Sequence, residues 1–406
     1  MMRMFFALLT LLLAYSPVFA ADASYSAKAQ LESISGAGDS PYIAPAIVSE
    51  EPAAGAAEDT RAVRRANISG AVMLQGFHWF ADSYWYHPQN GWWGELARWA
   101  PEIGKAGFDI VWFPPASIGA YYAREWYNFN GQWGNQDWLV KAIAAMHAQG
   151  LVVLADVVFN HRSGSTDWAD FKNPDWPTSV VVRNDEWQGG PKSENDDQGQ
   201  GDFGSRDIDH TKQIVQTDCA KFLQYLRRIG FDGWRYDMVK GYPGYYVGLY
   251  NQASRPLFSV GEYFDGDRQT IINWIDSTDM TPGKRNASSA FDFPNRFALI
   301  NAIENNHYES LNDGGRPPGI LGVWPEKAVT FVDNHDTAPR DAGFMPSAPE
   351  YYRQQRMVGY AYILTHPGVP CVFWPNFFDW GDVYKNKIKK LIQIRKEAGI
   401  TSTSPV

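Results

Sequence analysis

Arg235 and Asp237 sit two residues apart in the run "FDGWRYD" (231–237). If this run is a strand, both side chains share a face. An Arg beside an Asp lowers the carboxyl's pKa and keeps it ionised, and an ionised, oriented carboxylate is a nucleophile. Glu262 stands in the next apolar run, "LFSVGEY" (257–263), flanked by Val260, Tyr263 and Phe264. Desolvation by such neighbours raises a carboxyl's pKa and lets it hold a proton. A nucleophilic carboxylate opposite a protonated one is the arrangement for glycoside hydrolysis with retention, which needs the two groups about 5 Å apart. Adjacent strands lie about 4.8 Å apart, so carboxylates on neighbouring strands meet that spacing.

These residues need a scaffold that gathers strand ends. Eight short apolar runs recur: 71–77, 108–115, 151–161, 231–237, 257–263, 289–293, 328–336 and 368–374. Amphipathic segments at 136–150, 217–230 and 353–365 fall between several of them, each closing near Gly or Pro as helix stop signals require. Apolar strands alternating with helices predict parallel βαβ units. Eight of them predict an α/β fold of the (β/α)8 TIM-barrel type; a doubly wound sheet rarely needs so many strands. In such a barrel chemistry sits at the C-terminal strand ends. Asn160 and His161 end strand three, Arg235 and Asp237 strand four, Glu262 strand five, and His335 and Asp336 strand seven.

Strands three and four stand further apart than one βαβ unit needs, about 30 residues. Residues 162–210, rich in Asp, Gly, Asn and Trp, are therefore read as a loop-rich subdomain inserted after strand three. The barrel then occupies 67–161 and 211–400, closing with a helix at 385–399. Residues 1–20 combine an early Arg, an apolar run from Met4 to Tyr15 and a "VFA" cleavage pattern, which predicts a secretory signal cut after Ala20. That run is too short to span a bilayer, so a secreted protein, extracellular or periplasmic, with no membrane anchor after cleavage is expected. Residues 21–66 are rich in Ala, Ser, Pro, Gly and Glu and read as a disordered linker.

A net charge of −9, with no basic run beyond "RAVRR", gives no support for nucleic-acid binding. Two cysteines, Cys219 and Cys371, exclude a disulfide framework. The 17 Trp supply aromatic faces, which suit the apolar CH faces of sugar rings.

Four ordered stretches resemble the signature motifs of the α-amylase family of glycoside hydrolases, in its plant-type and archaeal-type branches: "DVVFNH" (156–161), "GWRYDMVKGY" (233–242), "GEYF" (261–264) and "FVDNHD" (331–336). The similarity extends over roughly residues 70 to 400, including "YAYILTHPGVPCVFW". The resemblance implies that Asp237 is the nucleophile, Glu262 the general acid and then base, and Asp336 the stabiliser of an oxocarbenium-like transition state. It implies that Arg235 holds Asp237, that His161 and His335 bind sugar hydroxyls, and that Lys240 contacts the sugar on the leaving side. It also implies Ca2+, a hard cation suited to oxygen ligands. Asn160, Asp207, Asp197 and the Gly241 carbonyl would hold it, with Asp196 and Asp202 as open alternatives to Asp197. The substrate would be an α-glucan polysaccharide or oligosaccharide, cut within the chain by a monomer.

The sequence departs from the family pattern in places. The loop after strand two lacks the usual Gly-Tyr-x-Pro turn, and Tyr121, Tyr122 and Trp126 all stand as candidates for its sugar-stacking Tyr. Arg206 stands where the plant type has Pro. No full C-terminal β-domain is expected. Alternatives from the same fold are an α-glucan transglycosylase and an exo-acting, maltooligosaccharide-forming amylase, which share every catalytic residue. A non-catalytic glucan-binding protein would be expected to lose at least one of the three acids, and all three are present.

Overall fold

The computed structural model describes residues 68–81, 90–200, 204–280, 287–339 and 348–405. The expected signal segment and linker, residues 1–66, and Asp202 lie outside the described residues. Eight parallel strands close into a barrel in chain order: β1 (Met73–Gln75), β2 (Ile110–Phe113), β3 (Val152–Val157), β4 (Gly233–Tyr236), β5 (Ser259–Gly261), β6 (Ser289–Phe291), β7 (Ala328–Phe331) and β8 (Val369–Phe373), with β8 returning to β1. Each falls inside one of the eight predicted runs. Nearly every strand residue is buried, as expected where side chains fill the barrel on one face and meet helices on the other.

The principal helices are α1 (Gly91–Ala106), α2 (Gln136–His147), α3 (Gln213–Arg228), α4 (Gly244–Ser254), α5 (Arg268–Ser277), α6 (Phe293–Asn305), α7 (Glu350–Thr365), α8 (Trp374–Phe378) and α9 (Asp382–Glu397). Local chemistry sets several starts. Asn135 accepts the Trp138 amide at the head of α2, and Asp267 accepts those of Gln269 and Thr270 at the head of α5. Asp292 caps α6 through the Asn295 amide and also accepts the Ile320 and Leu321 amides, tying a distant turn to the helix. Gly261 has no room for a side chain, since a Cβ there would lie 2.1 Å from the Trp274 ring of α5. Cys219 and Cys371 are both buried free thiols.

Between β3 and α3 the chain is mostly loop. Its ends are clasped by a two-residue antiparallel ladder pairing His161 with Asp207 and Arg162 with Arg206. Arg162 is fully buried, with its guanidinium 4.7 Å from the Trp176 ring centroid and 5.1 Å from that of Trp126. It donates to the carbonyls of Pro174 (2.8 Å) and Arg124 (3.1 Å), so one cation fastens the loop after β2 to the insertion. Arg206, the departure from Pro, is buried against Asp185 (2.5 Å) and Glu186 (2.7 Å). Its charge is thereby matched inside the insertion. Among the described residues no helix is long and apolar enough to cross a membrane.

Candidate active site

The register of the barrel builds the centre of the site. Asp156 and Arg235 are direct partners between β3 and β4. The ladder continues one residue past each strand: the Asp237 amide donates to Val157 O (3.0 Å) and the Glu262 amide to Tyr236 O (2.9 Å). Both carboxylates are thus fixed at the rim by backbone bonds to the preceding strand. Arg235 is fully buried beneath them. Its Nη1 lies 2.6 Å from Asp237 Oδ1 and 3.0 Å from Asp156 Oδ1. Its Nη2 lies 2.9 Å from Glu262 Oε2. This last contact lacks hydrogen-bond alignment and acts as a charge contact. The Trp112 ring covers the guanidinium at 4.7 Å.

Asp156 is a buried acid to which neither the spacing nor the resemblance assigns a role. Its carboxyl accepts from Trp112 Nε1 (3.1 Å), Tyr121 Oη (3.0 Å) and Arg235. Burial pushes this carboxyl up, to about 7; Arg235 opposes this, the Asp237 charge adds to it, and the Tyr121 hydroxyl opposes it. An acid inside the apolar run "VVLADVV" was itself a signal, because a buried charge needs a partner.

Glu262 is 6% exposed. Burial is the main force raising its carboxyl, to about 8; Arg235 opposes this, Asp237 and Asp336 add to it, and the Met238 amide opposes it. That amide donates to Glu262 Oε2 at 3.2 Å. Met238 adopts a left-handed backbone with φ 43°, rare for a residue other than Gly, and this turn aims the amide at the acid. Phe264, expected to help desolvate Glu262, is 46% exposed and packs 4.4 Å from Phe293 instead.

Asp336 is exposed at the end of β7. Asn334 Oδ1 accepts the amides of Asp336 (3.0 Å) and Thr337 (2.8 Å), a turn that presents the carboxylate to the barrel mouth. His335 Nε2 lies 3.3 Å from Asp336 Oδ2 and 2.9 Å from Tyr121 Oη, and its Nδ1 lies 3.0 Å from Gln75 Nε2. Tyr121 stacks on the His335 ring at 5.4 Å with 14° between planes.

Of the three aromatics left open in the loop after β2, Tyr121 is the one brought to the carboxylates. A short 3-10 turn over Ala120–Tyr122, with left-handed Ala120 at its start and left-handed Ala123 just after it, turns Tyr121 inward and leaves Tyr122 46% exposed. Trp126 is buried against Phe159, Trp176 and Phe222. His161 is fully buried, which lowers its pKa. Its Nε2 donates to Tyr121 O (2.8 Å), and its Nδ1 accepts from Asn160 Nδ2 (3.2 Å). Lys240 reaches the Phe264 carbonyl and Asp265 Oδ2, each at 3.3 Å. A cavity of about 420 Å³ adjoins it, lined among others by Tyr242, Tyr263, Trp274, Gln198, Gln200 and Asn273.

Asn160, Asp207 and Gly241 also come together. Asn160 Nδ2 lies 3.4 Å from Asp207 Oδ1, and a Cβ on Gly241 would stand 1.6 Å from Asn160 Oδ1. Gly199 packs on Gly241 so closely that a Cβ there would lie 2.2 Å from the Gly241 carbonyl. The Gly199 amide donates to Asp197 Oδ1 (3.1 Å), which places Asp197 on the turn that meets Gly241. Asp196 is engaged with Arg183 through two bonds of 2.8 and 2.6 Å. Oxygen donors suit a hard cation; here Asn160 turns its Nδ2, not its oxygen, toward Asp207, while its Oδ1 lies against Gly241. Among the described residues no group of three or more His, Cys, Asp or Glu could hold a metal.

No family model matches the chain. A protein of Arabidopsis thaliana named probable alpha-amylase 2 is 35% identical over 362 residues, covering 82% of each chain. The glucan 1,4-alpha-maltotetraohydrolase of Stutzerimonas stutzeri is 28% identical, covering 82% of this chain and 63% of that one. Among solved structures, an alpha-amylase from Anoxybacillus superposes with a TM-score of 0.61 at 16% identity, over 81% of this chain and 79% of that one.

Proposed function

Because the chain belongs to the α-amylase family of glycoside hydrolases, we propose that it cleaves α-1,4-glucosidic bonds of starch- or glycogen-type glucans within the chain and with retention. The observation that carries this reading is the Arg235 hub, which gathers Asp237 and the raised-pKa Glu262 on one guanidinium. Asp237 attacks the anomeric carbon, and the bond to the leaving glucose oxygen breaks as Glu262 gives that oxygen its proton. Glu262, now ionised, takes a proton from water, whose oxygen then displaces Asp237 from the sugar. Asp336 carries the third negative charge, facing the positive charge that develops on the sugar ring.

Tyr121 offers its ring to the sugar at the point of cleavage. His161 and His335 lie beneath the same floor, where a bond to a hydroxyl of that sugar would draw a ring nitrogen from its present protein partner. Lys240 and the cavity beside it receive the leaving side of the glucan; its amide and aromatic side chains suit a sugar. Asn160, Asp207, Asp197 and the Gly241 carbonyl would hold Ca2+, which supplies a cross-link between insertion and barrel rather than a reacting group. The protein would act as a secreted monomer.

A second reading, exo-action releasing short maltooligosaccharides, is favoured by the relative named a maltotetraohydrolase. Digestion of soluble starch separates the two by product size against time. A broad early mixture supports cleavage within the chain, one short product supports exo-action, and no rise in reducing ends contradicts hydrolysis.

A further inference from the structure

Gln75, at the end of β1, is fully buried with its Nε2 against His335 Nδ1. The other ring nitrogen of His335 faces Tyr121 Oη, which also faces Asp156 Oδ2. A phenol has one proton to give. Asp156 is ringed by donors, from Trp112, Tyr121 and Arg235, and so accepts the Tyr121 proton. Tyr121 then has only lone pairs to offer His335, so the hydrogen between them belongs to Nε2 of His335.

The opposite end of the ring imposes the same state independently. An amide NH2 at Nδ1 requires a lone pair there. Turning the Gln75 amide over would place two N–H donors where Oε1 now lies buried without a partner among the described residues. Orphaned buried N–H groups are rarer than under-used carbonyls. The ring itself is boxed in by Phe77 and Trp79, each at 5.2 Å, and by Trp112 at 5.5 Å.

We propose that Gln75 is a positioning residue which, with Tyr121, fixes His335 as the neutral Nε2–H tautomer beside Asp336. Donors then run one way, from Gln75 to His335 to Tyr121 to Asp156, ending on the carboxylate that pairs with Arg235. The Nε2–H lies between Tyr121 Oη and Asp336 Oδ2, so His335 steadies Asp336 without adding a full positive charge beside it. The role in catalysis rests on the glycosidase reading above; the tautomer does not.

The test labels the full-length protein with 15N-histidine and reads two-bond 1H–15N correlations at neutral pH, with His335 assigned by its loss in His335→Gln. The wild type is expected to show a bare Nδ1 and a protonated Nε2. Gln75→Glu, which presents an acceptor to Nδ1, is expected to draw a proton onto Nδ1. It should also lower kcat on maltooligosaccharides about tenfold with a smaller change in KM, the signature of support given mainly to the transition state. Gln75→Met, similar in volume and lacking a donor, gives the same kinetic reading if the Glu variant does not fold. A wild-type His335 carrying its proton on Nδ1 overturns the proposal. So does a folded Gln75→Glu protein with wild-type tautomer and kcat. The tautomer is read without substrate, so its failure and a failure of the glucan reading are separate results.

Discussion

Arg235 and Asp156 are 79 residues apart in sequence and direct register partners in the barrel, joined at 3.0 Å with neither side chain exposed. The same guanidinium meets Asp237 and Glu262. A buried cation is costly alone and costly to remove once carboxylates depend on it. Arg235 is therefore the residue on which three acids from three adjacent strand ends converge.

Replacing it leaves those carboxylates buried without a counter-charge. Arg235→Met is expected to destabilise the protein by about 3–5 kcal/mol, the usual cost of breaking a buried pair from one side. The check is urea unfolding at neutral pH. A loss below about 1 kcal/mol, within the range of exposed pairs, would show that the hub is not what holds the acids.

The pH profile follows from Glu262. Its carboxyl is raised to about 8, chiefly by burial. A carboxyl with a raised pKa stays protonated below that value and loses its proton above it. The acid needed for the first step is thus present at neutral pH and lost as pH rises through about 8. The alkaline limb of kcat/KM should fall there, and Glu262→Gln should remove glucan cleavage. A profile flat to well above pH 9 contradicts this assignment.

Tyr121 and Tyr122 are neighbours with opposite fates. Tyr121→Phe keeps the ring but removes the oxygen shared by Asp156 and His335, and leaves a buried carboxylate one donor short, at a cost of about 1–3 kcal/mol. The expected result is a lower melting temperature and a roughly tenfold or greater fall in kcat/KM, taking about 1.4 kcal/mol per factor of ten. Tyr122→Phe should be close to wild type in both. Equal effects at the two positions would remove Tyr121 from the site.

Calcium is tested through Gly241, where an added Cβ would collide with Asn160 Oδ1. For the wild type, a chelator should lower the melting temperature and activity together, because a ligand bound only by the folded state stabilises it. Gly241→Ala should melt lower at the outset and respond less to the chelator. A wild-type melting curve that the chelator leaves unchanged argues against the ion.

Much of this was legible before the fold was known. All eight barrel strands announced themselves as apolar runs, because parallel strands covered on both faces carry little polar patterning. The placement of Asp237, Glu262 and Asp336 after strand ends was legible because charge at the end of such a run asks for a reason. Gln75 and Asp156 were not assigned roles, although each is a polar residue inside an apolar run. Their partners, His335 and Arg235, lie far along the chain and become neighbours only through closure and register. Tyr121 could not be chosen over Tyr122 or Trp126 because a 3-10 turn with two left-handed alanines decides its direction, and no periodicity encodes such a turn. The turn at Met238 escaped for the same reason.

Cleavage with retention requires Asp237 to form a covalent bond to the sugar. A fluorinated maltosyl fluoride, which slows release of the intermediate more than its formation, should trap that species. Peptide mapping by mass spectrometry then reads where the sugar is attached. A glycosylated peptide containing Asp237 is expected, and it should be absent in Asp237→Asn. A label on another carboxylate, or turnover of the reagent to the inverted product with no labelled peptide, would contradict this.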